Sequence, residues 1–194
     1  MSKLQSFEAR HPQIAQWWTD SNFPFAVSLR EQAAKKGALS EKQISAAMRC
    51  VEAFGKAIVD KQAREATAPV ADVSGIAAAF QRAFDAGRKR VSLTIDGARI
   101  YPAKATGANP GALYVKDTDE GTYLGKFADG RFVRSRDCSD DRAHALVLIA
   151  INPENAAKEY GIRTGICCVC SRTLTDPESI ALGIGPICAA KFGW

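Results

Sequence analysis

The sequence predicts an α+β protein, and three observations carry that prediction. Apolar residues recur at three- and four-residue steps through the first third; the period switches to two between residues 91 and 134; and three cysteines stand at metal-type spacing near the C-terminus. In the first third, His11-Pro12 opens a short helix ending near Trp18, because proline is tolerated in a first helical turn and Ser21-Asn22-Phe23-Pro24 then interrupts the helical pattern. Pro24 starts a second helix with Phe25, Leu29 and Ala33 on one face, closed by Gly37 after Lys35 and Lys36. Ser40-Glu41-Lys42-Gln43 is a capping box that launches a longer helix with Ile44, Ala47, Met48, Val51, Phe54 and Ile58 inward. Adjacent residues on a helix point in different directions, so one of Trp17 and Trp18 is expected at the surface.

Pro69 and the loss of periodicity over residues 64–73 mark a linker. A helix then begins at Asp72 or Ser74, turns Ile76, Ala79, Phe80 and Phe84 inward, and stops at Gly87. Val91–Ile95 alternates, Asp96-Gly97 supplies a type I′ hairpin turn, and Ala98–Tyr101 returns. Residues 112–116 form a third strand, and Ala128-Asp129-Gly130 joins two more at 122–127 and 131–134, completing a five-strand antiparallel meander. The apolar run 143–151 reads equally as a sixth strand or a buried helix. Glu154–Tyr160 is a brief helix ended by Gly161. The expected organisation is a helical bundle over 1–66, a helix plus antiparallel sheet over 70–152, and a zinc-knuckle tail over 153–194.

The tail carries the chemistry. Cys167 and Cys170 have the Cys-x-x-Cys spacing of a knuckle, a turn in which two thiolates reach one zinc at about 2.3 Å each. Cys188 follows Gly185-Pro186, and proline suits the first position of a helix, which places this third thiolate in a first helical turn. A structural zinc takes four ligands; Cys138, Cys168, His144, Asp176 and Ser179 are the candidates for the fourth. Two other readings stand beside zinc: reduced thiols in a small core, and a redox pair, although no βαβ unit precedes the motif as a thioredoxin-like site requires. Gly183 and Gly185 are expected to let the backbone fold tightly around the metal ahead of the Cys188 helix.

The residues from Asn155 to Gly161, then Thr164-Gly165, Cys167, Cys170, Arg172, Leu174-Thr175, Ser179-Ile180 and Gly183-Ile184-Gly185-Pro186 to Cys188, resemble a tail shared by many bacteriophage and prophage proteins. That family is of uncharacterised function. The resemblance covers the tail alone and implies a phage-type origin and bound zinc; no activity comes with it. The family commonly has glycine after the second cysteine, where this chain has Ser171, a residue that a knuckle of that geometry would hold at positive φ.

Composition narrows the partner. The 194-residue chain has 46% hydrophobic residues and a formal net charge of +5, concentrated between Arg88 and Arg136, where ten basic residues face five acidic ones. The same stretch holds the strand aromatics. A surface that binds single-stranded DNA or RNA combines such cations with stacking faces, which makes Arg88, Lys89, Arg90, Arg99, Tyr101, Tyr114, Lys116, Tyr123, Lys126, Arg131 and Arg134 the candidate nucleic-acid-binding residues. The bland alternative has the aromatics beneath the sheet and the cations merely solvated. A second functional reading is a protein-interaction module that engages a host or phage protein through the exposed tryptophan and the apolar end around Phe192 and Trp194. His11 and His144 have no evident nucleophile partner, and Gly183-x-Gly185 is too short for a phosphate loop, so a non-enzymatic role is expected. The cysteines form no secreted disulfide framework, Met1–Gln5 opens no leader pattern, and no apolar run reaches the roughly 20 residues of a membrane span. A cytoplasmic protein with no membrane partner is the expectation.

Overall fold

A computed structural model describes all 194 residues, which divide into two compact units, Met1–Ala66 and Thr67–Trp194. The first unit is helical: α1 (Lys3–Arg10), α2 (Pro12–Asp20), α3 (Pro24–Lys36) and α4 (Glu41–Ala66). Helix α1 lies ahead of the first expected helix, and its signal is a second capping box: the Gln5 N–H donates to Ser2 Oγ while the Ser2 N–H donates to Gln5 Oε1. The Ser40/Gln43 box forms in the same reciprocal way. Gly37 ends α3 in the left-handed region at φ 77°.

The extra helix overturns the expectation for the tryptophans. Both Trp17 and Trp18 are 3% exposed. They leave α2 in different directions, and each direction is covered: Trp18 packs on Phe7 of α1 and its indole N–H donates to Glu8, while Trp17 packs beside Phe25 of α3. A second correction concerns α4. It is longer than expected and buries only Ala47 fully; Ile58 is exposed, because the apolar stripe outruns the shorter helices available to cover it.

The second unit starts as an irregular edge rather than a free linker. Residues 68–71 lie along the last strand: the Ala71 N–H donates to the Gly130 carbonyl and the Phe132 N–H to that of Pro69. Helix α5 (Ser74–Asp85) follows an Asx turn in which Asp72 accepts from the Ser74 N–H. Ile76, Ala79, Phe80 and Ala83 face inward; Phe84 does not, since it lies one position off that stripe.

The meander is present, with β1 (Leu93–Ile95), β2 (Ala98–Pro102), β3 (Leu113–Asp117), β4 (Tyr123–Ala128) and β5 (Arg131–Arg134) in sequential antiparallel order. Asp96 and Gly97 both take positive φ, as do Asp129 and Gly130, which is what two-residue type I′ turns require. One face is the core. Leu93, Ile95, Ile100, Leu113, Val115, Phe127 and Phe132 are buried with the inner residues of α5 and of α6 (Asp140–Ile151), which resolves the ambiguous apolar run as a helix capped by Ser139.

Helix α7 (Pro153–Thr164) passes through Gly161 and ends at Gly165, at φ 70°, rather than stopping at Gly161 as expected. Short helices α8 (Pro177–Leu182) and α9 (Pro186–Phe192) complete the tail. Cys167, Cys168, Leu174, Ile184 and Phe192 share one apolar core with the sheet and α5. Phe192 is fully buried against Phe80 and Trp194, so it is not part of an exposed apolar end, and Trp194 is half-buried. No helix is long and apolar enough to cross a membrane.

Candidate metal centre and basic sheet face

The Cys167–Cys170 segment is a tight turn closed by backbone bonds. Ile166 and Thr173 form an antiparallel bridge, the Cys167 N–H donates to the Arg172 carbonyl, and the Ser171 N–H donates back to that of Cys167. Closing it forces Ser171 to φ 58°. A non-glycine residue there costs on the order of 1 kcal/mol, so the turn is held by its surroundings. Part of that hold comes from β1, where the Thr94 N–H donates to the Cys168 carbonyl.

Helix α9 then brings the third sulfur. Pro186 occupies its first position and Cys188 its first turn, as the spacing predicts. The sulfurs of Cys167, Cys170 and Cys188 all lie within 4.8 Å of one another. Three thiolates on a tetrahedral ion are about 3.8 Å apart, so a small contraction seats a metal among them. None of the other candidate ligands joins this group. Cys168 is buried in the apolar core, where loss of hydration pushes its thiol up to about 12. Cys138 contributes to the same core beside Arg134, and His144 is exposed on α6. Asp176 is the N-cap of α8, accepting from the Ser179 N–H at 3.0 Å and the Ser179 hydroxyl at 3.2 Å.

The electrostatics favour a thiolate at Cys167. The Cys188 S–H donates to the Cys167 sulfur, and the backbone N–H groups of Gly185, Cys170 and Val169 also point at it, so Cys167 falls to about 4 against the opposing effect of burial. Cys188, which holds the shared proton, moves upward for the same reason, with burial adding to the shift. Arg88 Nη1 stands 4.0 Å from the Cys188 sulfur and its guanidinium lies over the Phe192 ring. Gly185 thus serves the centre through its N–H. Gly183 serves α7 instead: it ends α8 at φ 72° and packs directly on Lys158 and Gly161.

The outward face of the sheet gathers a second set of predicted residues. Cross-strand register puts Thr94, Arg99, Lys116 and Tyr123 in one row, and Tyr101, Tyr114, Lys126 and Val133 in the next. The tyrosines form a continuous ladder, with ring centroids 6.0 Å apart from Tyr101 to Tyr114 and 6.0 Å from Tyr114 to Tyr123. Arg99 lies over the Tyr101 ring, and Asn109 links Lys126 to the Tyr114 hydroxyl. Burial, reinforced by the two neighbouring phenols, pushes Tyr123 up to about 12. Of the strand aromatics, Phe127 and Phe132 pack beneath the sheet. Lys89 and Arg90 join the ladder's edge, lining a cleft of about 540 Å³ with Arg99, Tyr101 and Lys104, the last of which has no motif in the sequence to single it out.

Three predicted cations lie elsewhere. Arg88 turns to the cysteine cluster. Arg131 donates to the Ala68 carbonyl and Arg134 to that of Cys138, with Asp140 alongside, so both tie chain segments together.

Residues 157–193 match a family of unknown function (DUF6011), a segment that contains all three clustered cysteines. No curated protein and no solved structure matches the chain.

Proposed function

We propose that the chain is a non-enzymatic nucleic-acid-binding protein that engages single-stranded DNA or RNA on the outer sheet face, with Zn²⁺ at the three cysteines organising its C-terminal tail. One observation carries the binding reading: the rings of Tyr101, Tyr114 and Tyr123, from two adjacent rows, touch in succession on the face that is not buried, flanked by Arg99, Lys116 and Lys126. Aromatic rings in such a series accept bases of any identity, each stack being worth about 1–3 kcal/mol, while the cations follow the phosphates. Zinc is favoured by the donor set, since three sulfurs with N–H groups aimed at one of them suit a borderline-soft tetrahedral ion. All six cysteines are unpaired, which suits a reducing cytoplasm. The tail's resemblance to bacteriophage and prophage proteins favours an accessory role in that setting.

The test is fluorescence anisotropy with labelled single-stranded oligonucleotides of mixed sequence. Binding at low salt is expected, with log K falling against log salt at a slope near −3 if about four phosphates are neutralised. Absence of binding at low salt to both DNA and RNA overturns the reading.

A further inference from the structure

We infer that the metal centre is open, with its fourth position facing a solvent-exposed cleft and taking a small anionic ligand through a carboxylate or thiolate donor. The inference rests on the metal reading and is independent of the sheet face. All three cysteines line one cleft of about 370 Å³, together with Arg88, Arg172 and Asp176. The N–H groups of Val169, Cys170 and Gly185 converge on the Cys167 sulfur, so the cysteine turn and the start of α9 fix that sulfur at the cleft wall. An ion seated among three sulfurs that all belong to the cleft wall has its remaining coordination position on the cleft side.

No side chain of the protein fills it. The three cysteines are joined by no other Cys, His, Asp or Glu donor, and Asp176, the one carboxylate on the wall, is engaged as the cap of α8. Charge favours an anion. A divalent ion with three thiolates carries a net −1, and the guanidiniums of Arg88 and Arg172 offset both this and Asp176, so an incoming anion meets no excess negative charge. Volume sets the ligand's size: about 370 Å³ is at the small end of ligand pockets, enough for a small molecule and too little for a nucleic-acid strand.

Loading the full-length protein with Co²⁺ gives the test, since its visible d–d bands report both ligand set and geometry. Azide and 2-mercaptoethanol are each expected to shift the bands saturably. Arg88→Met, measured with the centre saturated in Co²⁺, should weaken azide by roughly tenfold, the worth of a charge-assisted hydrogen bond. Arg172→Gln, at the exposed rim, should act in the same direction. Asp176→Asn should leave the bands of the ligand-free centre in place. Bands that respond to neither probe, or that collapse in Asp176→Asn, mean that the protein closes its own site and overturn the inference. Absence of any Co²⁺ band overturns the metal reading itself, a distinct failure.

Discussion

Gly161 and Gly183 touch through their backbones: a Cβ placed on Gly161 would sit 1.7 Å from the Gly183 carbonyl oxygen. This contact lets α8 lie against α7, and Gly183 leads directly into the turn before Pro186 and Cys188. A methyl group at residue 161 cannot be accommodated without separating the two helices, so Gly161→Ala should lose about 2 kcal/mol or more, at the upper end of overpacking costs. Gly185→Ala is the contrast. Nothing lies within 4 Å of its Cβ position and its φ is −70°, so its cost should stay below about 1 kcal/mol while its N–H remains on Cys167. Urea denaturation of the two variants checks the difference; equal stabilities would mean that the helix contact is not tight.

Metal should stabilise the second unit by linkage. At free metal a hundredfold above Kd the gain is about 2.7 kcal/mol, and a strong chelator should remove it. Cys188→Ser should bind metal far more weakly, and chelator should then leave its melting temperature unchanged. Thermal melts with and without chelator, run beside metal analysis of the purified chain, test this. A wild-type melt indifferent to chelator, with no bound metal, would contradict the metal centre.

Much of the fold is legible in the residues themselves. The meander follows from alternation and two Asp-Gly turns, and the cysteine cluster from spacing with Gly185-Pro186 ahead of Cys188. Sequence reasoning fails where a local signal has two uses. Gly161 looks like a helix stop, but its missing side chain serves a long-range contact that only the folded α8 reveals. Two adjacent tryptophans look like one buried and one exposed until α1, signalled by Ser2 and Gln5, supplies a second wall. Cations are the least legible of all. Arg88, Arg131 and Arg134 have the same composition signal as Arg99 and Lys116, and only geometry separates a guanidinium on a sulfur or a carbonyl from one beside the tyrosines.

That separation predicts two classes of variant. Tyr114→Ala, in the middle of the ladder, should weaken single-strand binding by roughly 5- to 150-fold at constant salt, the equivalent of one stacked base. Lys116→Gln should weaken it evenly across sequences and make the salt slope shallower by about 0.7, one phosphate contact on a single strand. Arg134→Gln should leave the slope unchanged and cost about 1 kcal/mol of stability through the lost bond to the Cys138 carbonyl. Anisotropy titrations at several salt concentrations, paired with denaturation curves, distinguish them; a slope moved equally by Arg134→Gln would undo the division.

Protonation of the cysteine pair sets the pH behaviour of the centre. In the metal-free fold Cys167 is lowered to about 4, so its contribution to stability is full above the ordinary thiol value near 9 and is lost as pH falls through about 4. Cys188 is raised, so its contribution is present below that ordinary value and is lost as pH rises. Between the two limits the folded pair holds one proton where the unfolded pair holds two. This pair therefore makes metal-free stability rise with pH from about 4 to about 9 and decline beyond. A metal must displace the remaining proton from Cys188, so its affinity should climb at least about tenfold per pH unit. Chelator competition between about pH 6 and about pH 8 should accordingly show a change of two orders of magnitude or more, and a flat profile would remove Cys188 from the ligand set.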